Sequence, residues 1–345
     1  MSKETSDPRI WWLLNSDPSI RWQVLKDLCD ANSDETISER RRIEFEGWGK
    51  LLLDKQDSTG MWGADPSRKQ TGIARYYGLY TPKWTSTTYT LLLLRRMGLL
   101  PGNNAVNRGC MVLLDRLFYE RDGGINISPS RKISETCVTG MVFGIMNYFN
   151  IEDSRLERIF DYIAENQMSD GGWNCQYSAG ATHASVHTTL LVLEALQEYS
   201  QRCRDADCKP PVELVQMQEK GQEFLLEHRL YKSDRTGEVI DQKMLRFPFP
   251  PRWKYDVLTA LDYFQRVDHH YDERFEDAIE LLKSKERKGY WPIFSAHSGK
   301  VWFQMEKGKD PGRWNTLRAS RVLKWWERLT SSPEEERSIR GIYQA

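Results

Sequence analysis

Two kinds of apolar pattern alternate along the chain. The first kind is "TSTTYTLLLLRRMG", "ETCVTGMVFGIMNYF", "SVHTTLLVLEALQEY", "RWKYDVLTALDYF" and "RWNTLRASRVLKWW", with "SIRWQVLKDL" near the start as a sixth copy. Each opens polar or aromatic and then runs apolar on more than one face, which predicts an interior helix. The second kind is "SERRRIEFEGWGKLLLDKQ", "SRLERIFDYIAENQ", "VELVQMQEKGQEFLLEHR" and "DERFEDAIELLKSKE", with one apolar stripe among charges. These predict outer helices facing water. No run keeps the alternation of a strand.

The junctions repeat as well. "QDSTGMWG", "QMSDGGWN" and "KERKGYWP" each follow an outer segment and place Gly two residues before Trp; "RDGGIN" keeps the glycines and has Ile125 instead. Gly permits the tight turn off a helix end, and a Trp there can pack beneath the next helix. Self-similarity at this spacing predicts an all-α fold, an (α/α)6 toroid of six inner and six outer helices, spanning 1–345 as one domain. The inner helices centre near residues 22, 88, 139, 188, 255 and 315. With all six pointing one way, their first turns surround one pocket.

Composition narrows the function classes. Lys plus Arg and Asp plus Glu number 49 each in 345 residues, so nothing predicts a nucleic-acid partner. No stretch approaches the roughly 18–20 apolar residues of a membrane span. The start, "MSKETSDPRIWWLL", lacks a signal-peptide pattern, and six scattered cysteines read as reduced thiols; both predict a cytoplasmic protein. Thirteen tryptophans exceed what a core of this size requires.

The first turns carry the chemistry: Arg21 and Trp22; Trp84; Glu135 and Cys137; His183 and His187; Arg252, Trp253, Lys254, Tyr255 and Asp256; Arg313 and Trp314. Glu135, Cys137 and His187 fall on consecutive inner helices. Carboxylate, thiolate and imidazole with one open position form the pattern of a catalytic zinc. Cys175 and His183, just before the His187 helix, are alternate ligands. The structural alternative is that Cys137 fills space and Glu135 caps its helix. The aromatic residues pack helices, or together wall an apolar pocket whose π faces suit a cation. Arg252, Lys254 and Arg313 suit an anionic group, and Tyr255 and Asp256 are acid–base candidates beside Cys137 and His187.

The Gly-x-Trp loops and alternating helices resemble the terpenoid cyclase and protein prenyltransferase toroid superfamily over nearly the whole chain. Within it, Glu135-x-Cys137 followed by "VHTT" with His187 resembles the Asp-x-Cys and His-Thr zinc motif of prenyltransferase β subunits. Lys132 stands where that family has a diphosphate-binding Lys, with Arg131 beside it, and Arg21 stands where it has an Arg two inner helices before the Cys. The resemblance implies a zinc enzyme acting on a prenyl or terpenoid-like substrate with an anionic end, by transfer, elimination or cyclisation. It also implies an α-subunit partner, for which no residue pattern stands here. The departures are Glu for Asp, Val138 and Val186 beside the Cys and His, and "WTSTTY" in place of His-x-x-Tyr. The Asp-x-Asp-Asp motif of protonating cyclases is absent.

Three rivals share the barrel. One is a metal-free lyase, isomerase or dehydratase using Cys137, Cys175, His187 and Tyr255. Another is a non-catalytic binding module, although the Gly-Cys-Gly-Glu-Gln signature of thioester domains is missing. The third is a glycan-acting enzyme, for which Glu135 and Asp256 are the only obvious inward carboxylates.

Overall fold

The computed structural model describes residues 7–65, 76–128, 130–295, 297–308 and 311–331. Among them the fold is all-α: α1 (Pro8–Leu14), α2 (Pro18–Asp27), α3 (Ser33–Arg41), α4 (Gly47–Leu53), α5 (Thr87–Met97), α6 (Asn104–Leu117), α7 (Thr136–Tyr148), α8 (Arg155–Glu165), α9 (Val186–Asp205), α10 (Val212–Glu227), α11 (Val257–Arg266), α12 (Glu276–Ser284) and α13 (Arg313–Ser331). Extended pairing among the described residues is limited to isolated bridges.

The apolar patterns sort most helices as expected, but the charged segment expected to form one outer helix is broken into α3, a 3-10 turn at Arg42–Glu44 and α4, with Gly47 at φ +66° in the break. In α7 the run from Val138 to Asn147 is buried without interruption. By contrast α8 buries only Ile159, Tyr162 and Ile163. Two outer helices were not among the segments read as such. Helix α6 buries Val106, Gly109, Cys110, Leu113, Leu114 and Leu117 along one stripe, and α1 packs on α2. Both are short or weakly charged, so their stripes stand out less against the inner pattern.

The Gly-x-Trp loops build one repeated joint. Trp62, Trp173 and Trp291 are fully buried. Each indole N–H donates back to the end of the preceding outer helix: Trp62 to the Leu52 carbonyl at 2.7 Å, Trp173 to Ile163 at 2.8 Å and Trp291 to Leu282 at 2.8 Å. Each backbone N–H donates forward to a threonine on the next inner helix, Thr87, Thr189 and Thr316. Ile125 keeps the forward bond, to Thr139 at 3.0 Å, and forgoes the backward one. The tryptophan therefore pins the loop to both helices that it joins. In the second copy Gly171 has φ +87°, and a Cβ there would lie 2.5 Å from the Lys220 carbonyl, so glycine is required.

A polar belt, buried at Arg95, Glu194, Glu198, Asp262 and Arg318 and reaching the surface at Arg266, ties the inner helices together. Arg95 and Arg96 of α5 reach Glu194 of α9, each at 3.0 Å. Arg266 of α11 reaches Glu198 at 2.8 Å. Arg318 and Arg321 of α13 hold Asp262 of α11 at 3.3 and 2.6 Å, and Arg321 continues to Gln23 and Asp27 of α2. Trp22 of α2 donates to the Met97 carbonyl of α5 at 2.8 Å. Helix α2 also packs on α13, α5 on α7, α7 on α9 and α11 on α13. Each belt residue sits in the second turn or later of its helix. Contacts advance together along neighbouring helices. Gly140 then Gly144 of α7 meet Val192 then Ala195 of α9. His187 then Glu198 of α9 meet Tyr255 then Arg266 at α11, and Thr259 then Asp262 of α11 meet Arg318 then Arg321 of α13. Helices α7, α9, α11 and α13 therefore point the same way, and their first turns lie towards one end.

Candidate active site

At that end the structure brings two thiols together. Cys137 lies in the first turn of α7, whose N-cap is Glu135; the Glu135 N–H bonds the Ile125 carbonyl at 3.0 Å. Cys175 lies on the loop after Trp173, and its N–H donates to Thr188 Oγ1 in the first turn of α9 at 3.3 Å. Cys137 and Cys175 are neighbours close enough that each shifts the titration of the other. Cys137, helped by the Thr188 hydroxyl, lowers the Cys175 pKa to about 6 against the opposing effect of burial. Cys137 is pushed well up, first by Cys175 and then by burial. The two thiols are pushed in opposite directions, so the pair gives up its first proton more readily than its second.

Aromatic residues surround the pair. The Tyr80 and Tyr89 rings are 5.2 Å apart, and both hydroxyls lie near Cys137. Burial raises both tyrosines, Tyr80 mainly by loss of water. Trp84 packs edge-on to Tyr89 at 4.9 Å. A segment before α13 straps across: Trp84 donates its N–H to the Lys300 carbonyl and its indole N–H to Ser298, and Trp302 donates to Thr90 Oγ1 at 3.2 Å. Arg252 lies over the Trp84 ring at 5.2 Å, and burial lowers its pKa to about 10, still a cation near neutrality.

The zinc set expected from sequence is not assembled in this arrangement. Among the described residues no three His, Cys, Asp or Glu side chains are placed to hold one ion. Glu135 is taken by Arg131 at 2.7 Å. His187 accepts the Tyr255 N–H at Nδ1, 2.9 Å away, which leaves the proton of a neutral imidazole on Nε2. Burial lowers its pKa, so it stays neutral. His183 is exposed and contacts Arg235 through Nε2 at 3.0 Å. Cys175, held only as an alternate ligand, is the group that does join Cys137.

Other expected site residues have structural partners. The Tyr255 hydroxyl donates to the Leu230 carbonyl, away from the thiols. Asp256 is the N-cap of α11, accepting from Thr259 N–H at 2.9 Å and its hydroxyl at 2.6 Å, and burial raises its pKa. Arg21 pairs with Glu39 at 2.6 Å. Trp22 packs at the far end of α5, its indole against Gly98, where φ is +91° and a Cβ would come within 2.2 Å. Lys132 is exposed. Trp314 stacks on Phe249 at 4.1 Å.

Arg313 lies over Trp12 at 4.6 Å and lines a separate cleft of about 600 Å³ with Trp48 and Glu306; no thiol-site residue lines it. Trp84, Trp253, Lys254 and Arg252 do gather near the first turns. Lys254 lies over Trp253 at 5.5 Å, and Trp253 is 6.2 Å from His187.

Tyr89, Tyr80, Thr188 and His297, whose ring lies 6.2 Å from that of Trp84, escaped the sequence reading. Tyr89 could have been found as the one aromatic side chain in the first turn of the "TSTTYTLLLL" helix. His297 lies in the strap, where no periodicity marks it. No protein-family model matches the chain, and no curated protein matches it.

Proposed function

We propose that the chain is an enzyme that uses Cys175 as base or nucleophile and Cys137 as acid, within an (α/α)6 toroid. The observation that carries this is the pair of neighbouring thiols at the first turns of α7 and α9, with Thr188 bonded at Cys175, whose pKa values are pushed in opposite directions. Titratable neighbours pushed apart in this way divide the acid and base roles between them. The thiolate takes a proton from a substrate carbon or attacks an electrophilic carbon. The Cys137 thiol returns a proton to the developing anion, and the Thr188 hydroxyl holds the thiolate charge meanwhile. This is lyase, isomerase or dehydratase chemistry without a metal.

The toroid reading is supported by alternating inner and outer helices, the shared direction of the polar belt, and the contact between α2 and α13 that joins the first inner helix to the last. The aromatic side chains of Trp84, Tyr89, Tyr80 and Trp253 suit an apolar skeleton of prenyl or terpenoid-like π character.

A pair of alkylating probes tests the proposal. N-dodecyl iodoacetamide is expected to label Cys175 in the full chain faster than iodoacetamide does, with labelling lost in Cys175→Ser. Equal labelling of Cys208, the exposed thiol, and none of Cys175 would overturn it.

A further inference from the structure

The neighbourhood of Trp84 holds donors that the protein itself leaves unused. Among the described residues the Arg252 guanidinium has no carboxylate and no hydrogen-bond partner; its contact is the Trp84 ring. Tyr89 is 1% exposed, and its hydroxyl lacks a well-placed partner, the Tyr80 hydroxyl being its near neighbour. Trp253 Nε1 is also buried and unpartnered. Arg252 and Tyr89 are neighbours, and Tyr89 in turn lies near Cys137, so these groups border the thiol site. Buried polar groups are ordinarily satisfied, and a half-buried cation ordinarily has a counter-charge. Arg252 and Tyr89 both contact the Trp84 ring and Trp253 follows Arg252 in the chain, and these spare donors ask for an acceptor that carries negative charge.

The charge count narrows the class. Lys83 lies over Trp84 and Trp253 at 5.8 and 5.3 Å, but it is exposed and screened by water. Lys254 is at the same rim. Only Arg252 acts in a low-dielectric setting, so the inner site balances a single negative charge. Its planar fork matches a carboxylate, with Tyr89 and the Trp253 indole as additional donors.

We infer that Arg252, Tyr89 and Trp253 form a subsite for the carboxylate head of an apolar ligand, whose body lies along the aromatic wall towards Cys175. This deepens the thiol-enzyme reading by naming its substrate class.

Titration calorimetry of the full chain with octanoate, octanol and octyl phosphate tests it. Octanoate is expected to bind saturably and octanol at least about tenfold more weakly, the loss of one charge-assisted contact. Arg252→Met is expected to weaken octanoate by about tenfold or more, Arg252→Lys by less, and Tyr89→Phe measurably. Arg252→Lys and Tyr89→Phe keep the test valid if Arg252→Met fails to fold. Octanoate is not an electrophile, so its binding is expected to survive in Cys175→Ser. Survival there with no thiol labelling would sink the thiol chemistry alone. Equal binding of octanol and octanoate, indifference to all three substitutions, or no binding to the folded wild type would overturn the subsite. Tighter binding of octyl phosphate would overturn the single-charge assignment.

Discussion

His187 accepts the backbone N–H of Tyr255 through Nδ1 at 2.9 Å, tying the first turn of α9 to the chain entering α11. With that lone pair taken, Nε2 carries the proton. A metal at either nitrogen would have to displace the bond or remove the proton. The prediction is that purified protein carries no stoichiometric zinc, as read by elemental mass spectrometry. One zinc per chain, lost in Cys137→Ala, would restore the Glu135–Cys137–His187 site and require His187 to leave Tyr255.

The tryptophan joint gives a stability prediction. Thr189→Val removes the acceptor of the buried Trp173 N–H, which costs about 1–3 kcal/mol. Thr189→Ser keeps the hydroxyl and is expected to cost less. Urea denaturation of the two variants distinguishes them, and equal costs would show that the bond contributes nothing.

The polar belt predicts a contrast between two glutamates. Glu194 is buried between Arg95 and Arg96; Glu194→Gln strips Arg96 of its carboxylate and leaves Arg95 only Glu198 at 3.5 Å, and is expected to cost about 3 kcal/mol. Glu135 pairs with Arg131, whose side chain is 57% exposed; Glu135→Gln is expected to cost about 0–1 kcal/mol. Denaturant midpoints of both variants check the difference.

The same belt sets the acid limb of stability. Burial acts to raise Asp262, but Arg321 and Arg318 outweigh it and lower its pKa to about 2; Glu194 is lowered by Arg96 and Arg95 against the same opposition. Groups depressed in the folded state stabilise it fully above their unfolded values, and that contribution is lost as pH falls through the folded ones. Melting temperature is therefore expected to fall from about pH 4 downwards. In Asp262→Asn this acid dependence is expected to be weaker. An acid limb unchanged in that variant would contradict the assignment.

Much of the helical plan was legible because burial on all faces or on one face leaves a direct record in the apolar pattern, as in α7 and α8. The Gly-x-Trp joints were legible for the same reason: a turn needs its glycine and the anchor its indole. The site was legible only in part. Cys137 and Cys175 were both noticed, but their pairing depends on how the loop after Trp173 folds back onto α9, which no period encodes. Asp256 and Tyr255 read as chemistry because residue type alone does not distinguish an N-cap or a carbonyl-bonded hydroxyl from an acid–base group. The spare donors around Trp84 are a property of what is missing nearby, and only three-dimensional neighbours reveal that.

The most direct test of the central claim is the pH dependence of Cys175 alkylation by iodoacetamide, followed by peptide mass spectrometry from pH 4 to 10. The rate follows the thiolate fraction and rises with pH. The expected midpoint is about 6 in the wild type. In Cys137→Ala it is expected to move up towards an ordinary thiol near about 8.5. A wild-type midpoint already at the ordinary value, or one that Cys137→Ala leaves in place, would contradict a thiolate held by its partner thiol.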